Sequence, residues 1–418
     1  MFFHKSRFLM TQVVFWTTIL VYTFSCEPPP FEVRELQSPA GQGARYPNLF
    51  LSEEQTVLLS WLEPSNDTSY ALKMSELNGE KWAQPRTIFR GDRFFVNWAD
   101  FPSIFQVNGD TLAAHWLYKA GEGTYEYDVL VALSVDRGAS WSEPVSPHRD
   151  GVLAEHGFVS FFSPGLSGEQ HTVDFGMVWL DGRSMNYDME NHTAGPMALY
   201  ATLISSNMKL QPEIRLDDRV CECCPTSALT LGNTTLIAYR DRSEDETRNI
   251  QIVRNVEGQW TEPFAVHADG WKLPGCPVNG PALAGEGQKA AVAWFTAPNG
   301  TSQVNVSFSA DRGASFGKPV RVDGGNPLGR VDVEWISSSR AVVSWIEMAG
   351  EEAEVRIRTV SSGGSMGNTA IVGNIDPGRG SGYPRIIAVA GQMIVVWTTP
   401  GEKSQIKIKR FKIRAIPS

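Results

Sequence analysis

Seven apolar runs, each ending in a large aromatic residue, recur along this chain and constrain its fold more than any other feature. They are VLLSW ending at Trp61, LAAHW at Trp116, FGMVW at Trp179, LIAY at Tyr239, AVAW at Trp294, AVVSW at Trp345 and MIVVW at Trp397. The markers stand about 50 to 63 residues apart, which is the length of one four-stranded repeat unit. The runs lack strict alternation, as expected of inner strands whose sheets stack and bury both faces. A second marker precedes each run: Tyr46-Pro47, Phe101-Pro102, Phe158-Val159, Cys224-Pro225, Cys276-Pro277, Val331-Asp332 and Tyr383-Pro384. Proline is tolerated at the first residue of a strand, where no ladder donor is needed. A third marker is the proline that opens a fourth strand, at Pro85, Pro144, Pro212, Pro263 and Pro319.

Four short strands per unit, repeated in register, predict an all-β propeller. The last copy has only three strands of its own, and an open sheet edge is a liability. The segment from Phe31 to Leu36 is therefore expected to supply the fourth strand and close the ring. This count favours seven blades over six.

The first 25 residues have the pattern of an export signal. Lys5 and Arg7 precede a mostly apolar stretch from Leu9 to Phe24, and Ser25-Cys26 offers a cleavage point. The expected organisation is a signal peptide of lipoprotein type over 1–25, a Pro-rich linker over 26–30 and one propeller domain over 31–418. Cys26 would carry the lipid, placing the protein in the periplasm or at the cell surface; plain secretion is the alternative. A net charge of −9 disfavours nucleic acid as a partner. The only contact with a membrane is expected through the anchor, and the protein is expected as a monomer.

Two turns share one pattern. Ser134, Asp136, Gly138 and Trp141 repeat as Ser309, Asp311, Gly313 and Phe316, with degenerate forms from Ser75 to Trp82, Asn255 to Trp260 and Ser361 to Met366. In such a hairpin the carboxylate accepts backbone N–H groups and glycine takes the positive φ. These turns resemble the Asp boxes, or BNR repeats, of the sialidase-like propellers, and the resemblance spans most of the chain after the leader. In that family the boxes lie on the face opposite the site.

If strand one starts at the upper face, the residues leading into it point at one channel mouth. They include Arg45, Asp100, His156, Cys223, Cys224, Cys276, Asn279, Arg330 and Arg385. The resemblance implies three arginines around a sugar carboxylate, an acid–base Asp, and a Tyr nucleophile activated by a Glu. Arg45-Tyr46-Pro47 is similar to the family's first-blade Arg-Ile-Pro motif. Arg330 and Arg385 would complete the triad, Asp100 would be the acid, and Tyr239 with Glu246 the Tyr–Glu pair. His156, Arg240, Asp241, Asn279 and Tyr383 are candidates for ligand binding.

Two features depart from the sialidase pattern. Cys221, Cys223 and Cys224 cluster before blade four and are answered one blade later by Cys276. For an exported chain two disulfides are the first expectation, and a thiolate site for copper(I) or zinc the second. The loop from Arg240 to Arg248 is unusually charged and follows the one Tyr that replaces a marker Trp. Blade four is thus expected to be specialised. The functional expectation is an exported propeller that binds, and as an exo-sialidase would hydrolyse, a glycan or other anionic ligand. The alternative is a non-catalytic binding propeller or a metal- or redox-handling protein centred on the cysteines.

Overall fold

The computed structural model describes residues 1, 31–165, 173–185, 187–188 and 193–417. The leader, Cys26 and the Pro-rich linker lie outside the described residues. Seven antiparallel sheets follow one another along the chain and form a seven-bladed β-propeller. Blade one, for example, runs through Arg45–Leu51, Val57–Pro64, Tyr70–Asn78 and Arg86–Gly91. Among the described residues no helix is long and apolar enough to cross a membrane.

The marker aromatics explain the packing. Trp61, Trp116, Trp179, Tyr239, Trp294, Trp345 and Trp397 are all at most 2% exposed, wedged where neighbouring sheets meet. A buried indole must place its N–H, and four do so on carboxylates. Trp61 donates to Glu63, Trp179 to Asp181, Trp294 to Asp269 and Trp345 to Glu347. Three of these acceptors stand two residues further along the same strand, and Asp269 alone reaches Trp294 from the preceding blade's outer segment.

Ring closure comes from the N-terminal strand Arg34–Leu36, which pairs with the last strand, Gln405–Lys412, setting Arg34 opposite Arg410 and Leu36 opposite Ile408. The proline openings of strand four hold in four blades. Pro144 is the exception: blade two has three strands, and its fourth position is reduced to a single bridge between Val131 and Val145.

On the lower face the two S-x-D-x-G turns satisfy themselves. Asp136 accepts from the Ser140 backbone N–H at 2.8 Å and from the Ser134 hydroxyl at 2.7 Å, while the Gly138 N–H donates to that same hydroxyl. Asp311 repeats the arrangement with Ser315, Ser309 and Gly313. Gly138 and Gly313 have φ of +82° and +70°, values that side chains avoid. These bonds hold Asp136 at about 2, first through the Ser140 hydroxyl.

Candidate functional site

Two openings on the upper face hold the residues of interest. The first is the central channel, of about 360 Å³, lined by the inner strands and including Asn48, Asp100, Asp332, Glu334 and Arg385. The second, of about 790 Å³, lies off the axis over blades two to five. Its walls are the segments leading into strand one and the loops between strands two and three. They contribute Tyr125, Glu155, Met185, Glu222, Cys223, Arg242, Glu246, Arg248 and Cys276.

The three arginines read as a carboxylate clamp are not brought together. Arg330 is buried, and its terminal nitrogens donate to the carbonyls of Pro377, Gly378 and Gly382 and to the Ser381 hydroxyl. Its guanidinium also lies over the Trp98 ring at 4.8 Å. These four contacts hold the fork against the protein's own oxygens rather than presenting it to the channel. Arg45 donates to the Gly43 carbonyl and lies over Tyr70, and Arg385 points into the channel against Asn48 and Asp332.

The Tyr239–Glu246 pair is likewise corrected. Tyr239 is fully buried and donates to Asp217 at 2.5 Å, so it takes over the anchoring role of the marker tryptophans. Glu246 instead accepts from Arg242 and Arg248. The Tyr383 hydroxyl donates to the Val278 carbonyl at 2.6 Å. Asn279 takes the Arg330 N–H and donates to the Pro277 and Leu328 carbonyls, a structural brace between blades five and six. Asp241 accepts from Gln251 and faces a separate depression beside Asp217.

Asp100 is buried against the start of blade three, where it accepts the Phe158 N–H at 2.8 Å. A Cβ at Gly157 would stand 2.0 Å from its carboxylate, so only glycine fits there. Burial pushes Asp100 well above the usual carboxylate range. Close by is a Tyr–Glu pair that sequence reasoning missed. The buried Tyr127 hydroxyl donates to Glu155 at 2.7 Å, and Glu155 lines the large pocket. Burial raises Glu155 to about 7. Its signal was its position, one residue before His156 in a segment already read as facing the mouth.

His156 is fully buried and stacks on His148, with ring centroids 3.7 Å apart. Asp150 and Asp181 stand 3.2 and 3.7 Å from its Nε2, and Arg183 bridges both carboxylates. Burial holds the imidazole below its ordinary value. His156 is therefore the centre of a buried polar brace behind the pocket rather than a group on its wall.

The cysteines do converge, and all four are free thiols; the expected disulfides are not formed. Cys221 and Cys224 are buried, with Sγ atoms 3.3 Å apart, and Cys223 lies 3.9 Å from Cys221. Cys276 reaches Cys223 from the next blade and is exposed in the pocket. Their approach depends on Gly280, where a Cβ would lie 2.0 Å from the Pro225 carbonyl. The group ionises unequally. Hydrogen bonds to Cys223 and Cys224 hold Cys221 well below the ordinary thiol range, while burial pushes Cys224 up.

Three guanidiniums stand around the thiols and differ in kind. Arg248 pairs with Glu222 and Glu246, and Arg242 with the same two carboxylates. Arg240, only 1% exposed, donates to the carbonyls of Asn279, Arg248 and Phe295 at 2.6–2.8 Å. Among the described residues it has no carboxylate partner.

No family model and no curated protein matches this chain. Solved structures do resemble it. The Hadza microbial sialidase Hz136 superposes with a TM-score of 0.51 at 13% identity, over 86% of this chain and 76% of that one. The polysaccharide lyase Uly1 gives 0.52 at 10% identity, over 87% and 89%. At these identities the likeness is one of fold.

Proposed function

We propose that the protein is a carbohydrate-binding propeller, carried outside the cytoplasm on an N-terminal lipid anchor, whose ligand occupies the pocket over blades two to five. The observation that carries this reading is the pocket itself. Its volume of about 790 Å³ lies in the range of small-ligand sites. Its wall alternates guanidinium and carboxylate groups at Arg242, Glu222, Arg248 and Glu246. A polyol suits such a wall, because every hydroxyl both donates and accepts. Tyr125, 61% exposed at the rim, offers an aromatic face to the C–H side of a sugar ring. The fold's likeness to a sialidase and a polysaccharide lyase supports the ligand class.

This reading replaces the three-arginine mouth and carries no sialidase mechanism. Calorimetric titration with neutral, uronic-acid and sialylated oligosaccharides tests it, together with a fluorogenic sialoside for turnover. Binding that weakens at least tenfold in Tyr125→Ala and Arg242→Ala, and is unchanged in Arg45→Ala and Arg385→Ala, is the expected outcome. No binding at millimolar sugar, or binding abolished by the Arg45 or Arg385 change instead, would overturn it.

A further inference from the structure

The geometry points to a thiolate metal centre at the inner end of the same pocket. Its ligands are Cys221, Cys223 and Cys224, with Cys276 as the fourth, exchangeable sulfur, and it takes one soft d¹⁰ cation, copper(I) in preference to zinc(II). This inference does not depend on the carbohydrate reading.

Three independent observations carry it. The first is spacing. A metal–sulfur bond of about 2.3 Å sets tetrahedrally disposed thiolates about 3.8 Å apart. The Sγ atoms of Cys221, Cys223 and Cys224 all lie within 4.8 Å of one another, Cys221 standing 3.3 Å from Cys224 and 3.9 Å from Cys223. Three sulfurs held at this distance without a covalent bond already have the arrangement an ion requires.

The second is charge. A buried guanidinium without an anion is costly to maintain, even when its N–H groups are satisfied by carbonyls. Arg240 is in that position and sits against the thiols: its carbonyl accepts the Cys221 N–H at 2.9 Å, and its Nε–H donates to Asn279, whose own N–H meets Cys224. A thiolate cluster supplies the missing negative charge. Arg248, almost entirely buried, adds a second positive charge beside Cys221.

The third is the orientation of the surrounding donors. The Asn279 backbone N–H donates to Cys224 Sγ at 3.3 Å, the kind of outer contact that fixes a thiolate ligand. The carboxylates nearest the group, Glu222 and Glu246, are taken up by Arg242 and Arg248. Among the described residues no carboxylate and no imidazole belongs to the cluster. An all-sulfur shell with Met185 on the adjoining pocket wall favours copper(I). Cys276, exposed while Cys221 and Cys224 are buried, is placed where an incoming ion would first be met.

The test uses the chain from residue 27 onward, with the whole propeller, purified anaerobically under reductant. Elemental analysis after loading with copper(I) or with zinc(II) gives stoichiometry, and competition with a chromophoric chelator for each ion gives affinity. The expected result is one ion per chain, at least tenfold stronger competition for copper(I) than for zinc(II), and release of thiol protons on loading. Cys221→Ser and Cys224→Ser should each weaken copper(I) binding at least a hundredfold, and the exposed Cys276→Ser about tenfold with an unchanged thermal midpoint. Zinc bound more tightly than copper(I) would overturn the preference. Full reactivity of all four thiols with no ion retained would overturn the site. So would an intact mass lower by four hydrogens in protein purified without reductant that resists reduction, and so would equal copper(I) binding by wild type and Cys276→Ser together with Cys223→Ser.

Discussion

The lower turns and the upper pocket solve the same problem in opposite ways. At Asp136 and Asp311 a carboxylate is surrounded by donors from its own turn, within four residues of itself. In the pocket the charges are also met across the fold: Glu246 takes Arg242 and Arg248 from its own loop, but Arg240 of blade four reaches carbonyls of blade five, and Glu222 meets arginines 20 and 26 residues away. A self-contained turn can be repeated around a ring without consequence for its neighbours. A shared network cannot, and it is found where the blades differ from one another.

The largest effect that would sharpen this contrast is loss of Arg240. Arg240→Met removes three bonds to buried carbonyls, and should cost about 3–5 kcal/mol in urea unfolding; a loss under about 1 kcal/mol would place that guanidinium outside the network. Next is Tyr239→Phe, expected to cost about 1–2 kcal/mol through the bond to Asp217, with carbohydrate binding unchanged. Abolished ligand binding or turnover in a folded Tyr239→Phe protein would instead restore it to the site.

The two regions should also titrate in opposite directions. Glu155 is raised from 4.5 to about 7 by burial. Its contribution to stability is complete below about pH 4.5 and is lost as pH rises through 7. Thermal midpoints between pH 4.5 and 7.5 should therefore fall with pH in the wild type, and Glu155→Gln should flatten that slope. Asp136 lies the other way, at about 2 against 3.8. Its contribution is present above pH 3.8 and lost as pH falls through 2, so Asp136→Asn should lower the midpoint by a constant amount above pH 3.8 and flatten only the acid limb, the smallest effect of the four. A slope between pH 4.5 and 7.5 that differs in that variant from the wild type's would mean the lower turns are coupled to the pocket after all.

The same contrast explains what was legible in the sequence. The apolar runs ending in Trp, the strand-opening prolines and the S-x-D-x-G turns act through neighbours a few residues away, so spacing alone revealed the blades and their number. The cysteines were legible because Cys224 and Cys276 hold equivalent places in adjacent repeats. The arginines were not. Whether Arg330 is free depends on carbonyls from Pro377 to Gly382 in another blade, and nothing beside Arg330 in the chain announces them. Tyr239 was misread for a related reason: its departure from Trp looked like a new function, whereas its hydroxyl finds Asp217 and preserves the old one.

The closing strand has a consequence for how the protein is made. Glu35 and its partner Lys407 are 372 positions apart, so the first strand leaves the ribosome long before its place in the last sheet exists. Contacts this distant in sequence form late. Until Gln405–Lys412 has been synthesised, blade seven has an unpaired edge and Arg34–Leu36 has nowhere to go. The ring is thus sealed as a final act, by three residues that follow closely on the proposed leader and anchor. Anything that holds the N-terminal segment while the chain is made also holds the piece that completes the fold.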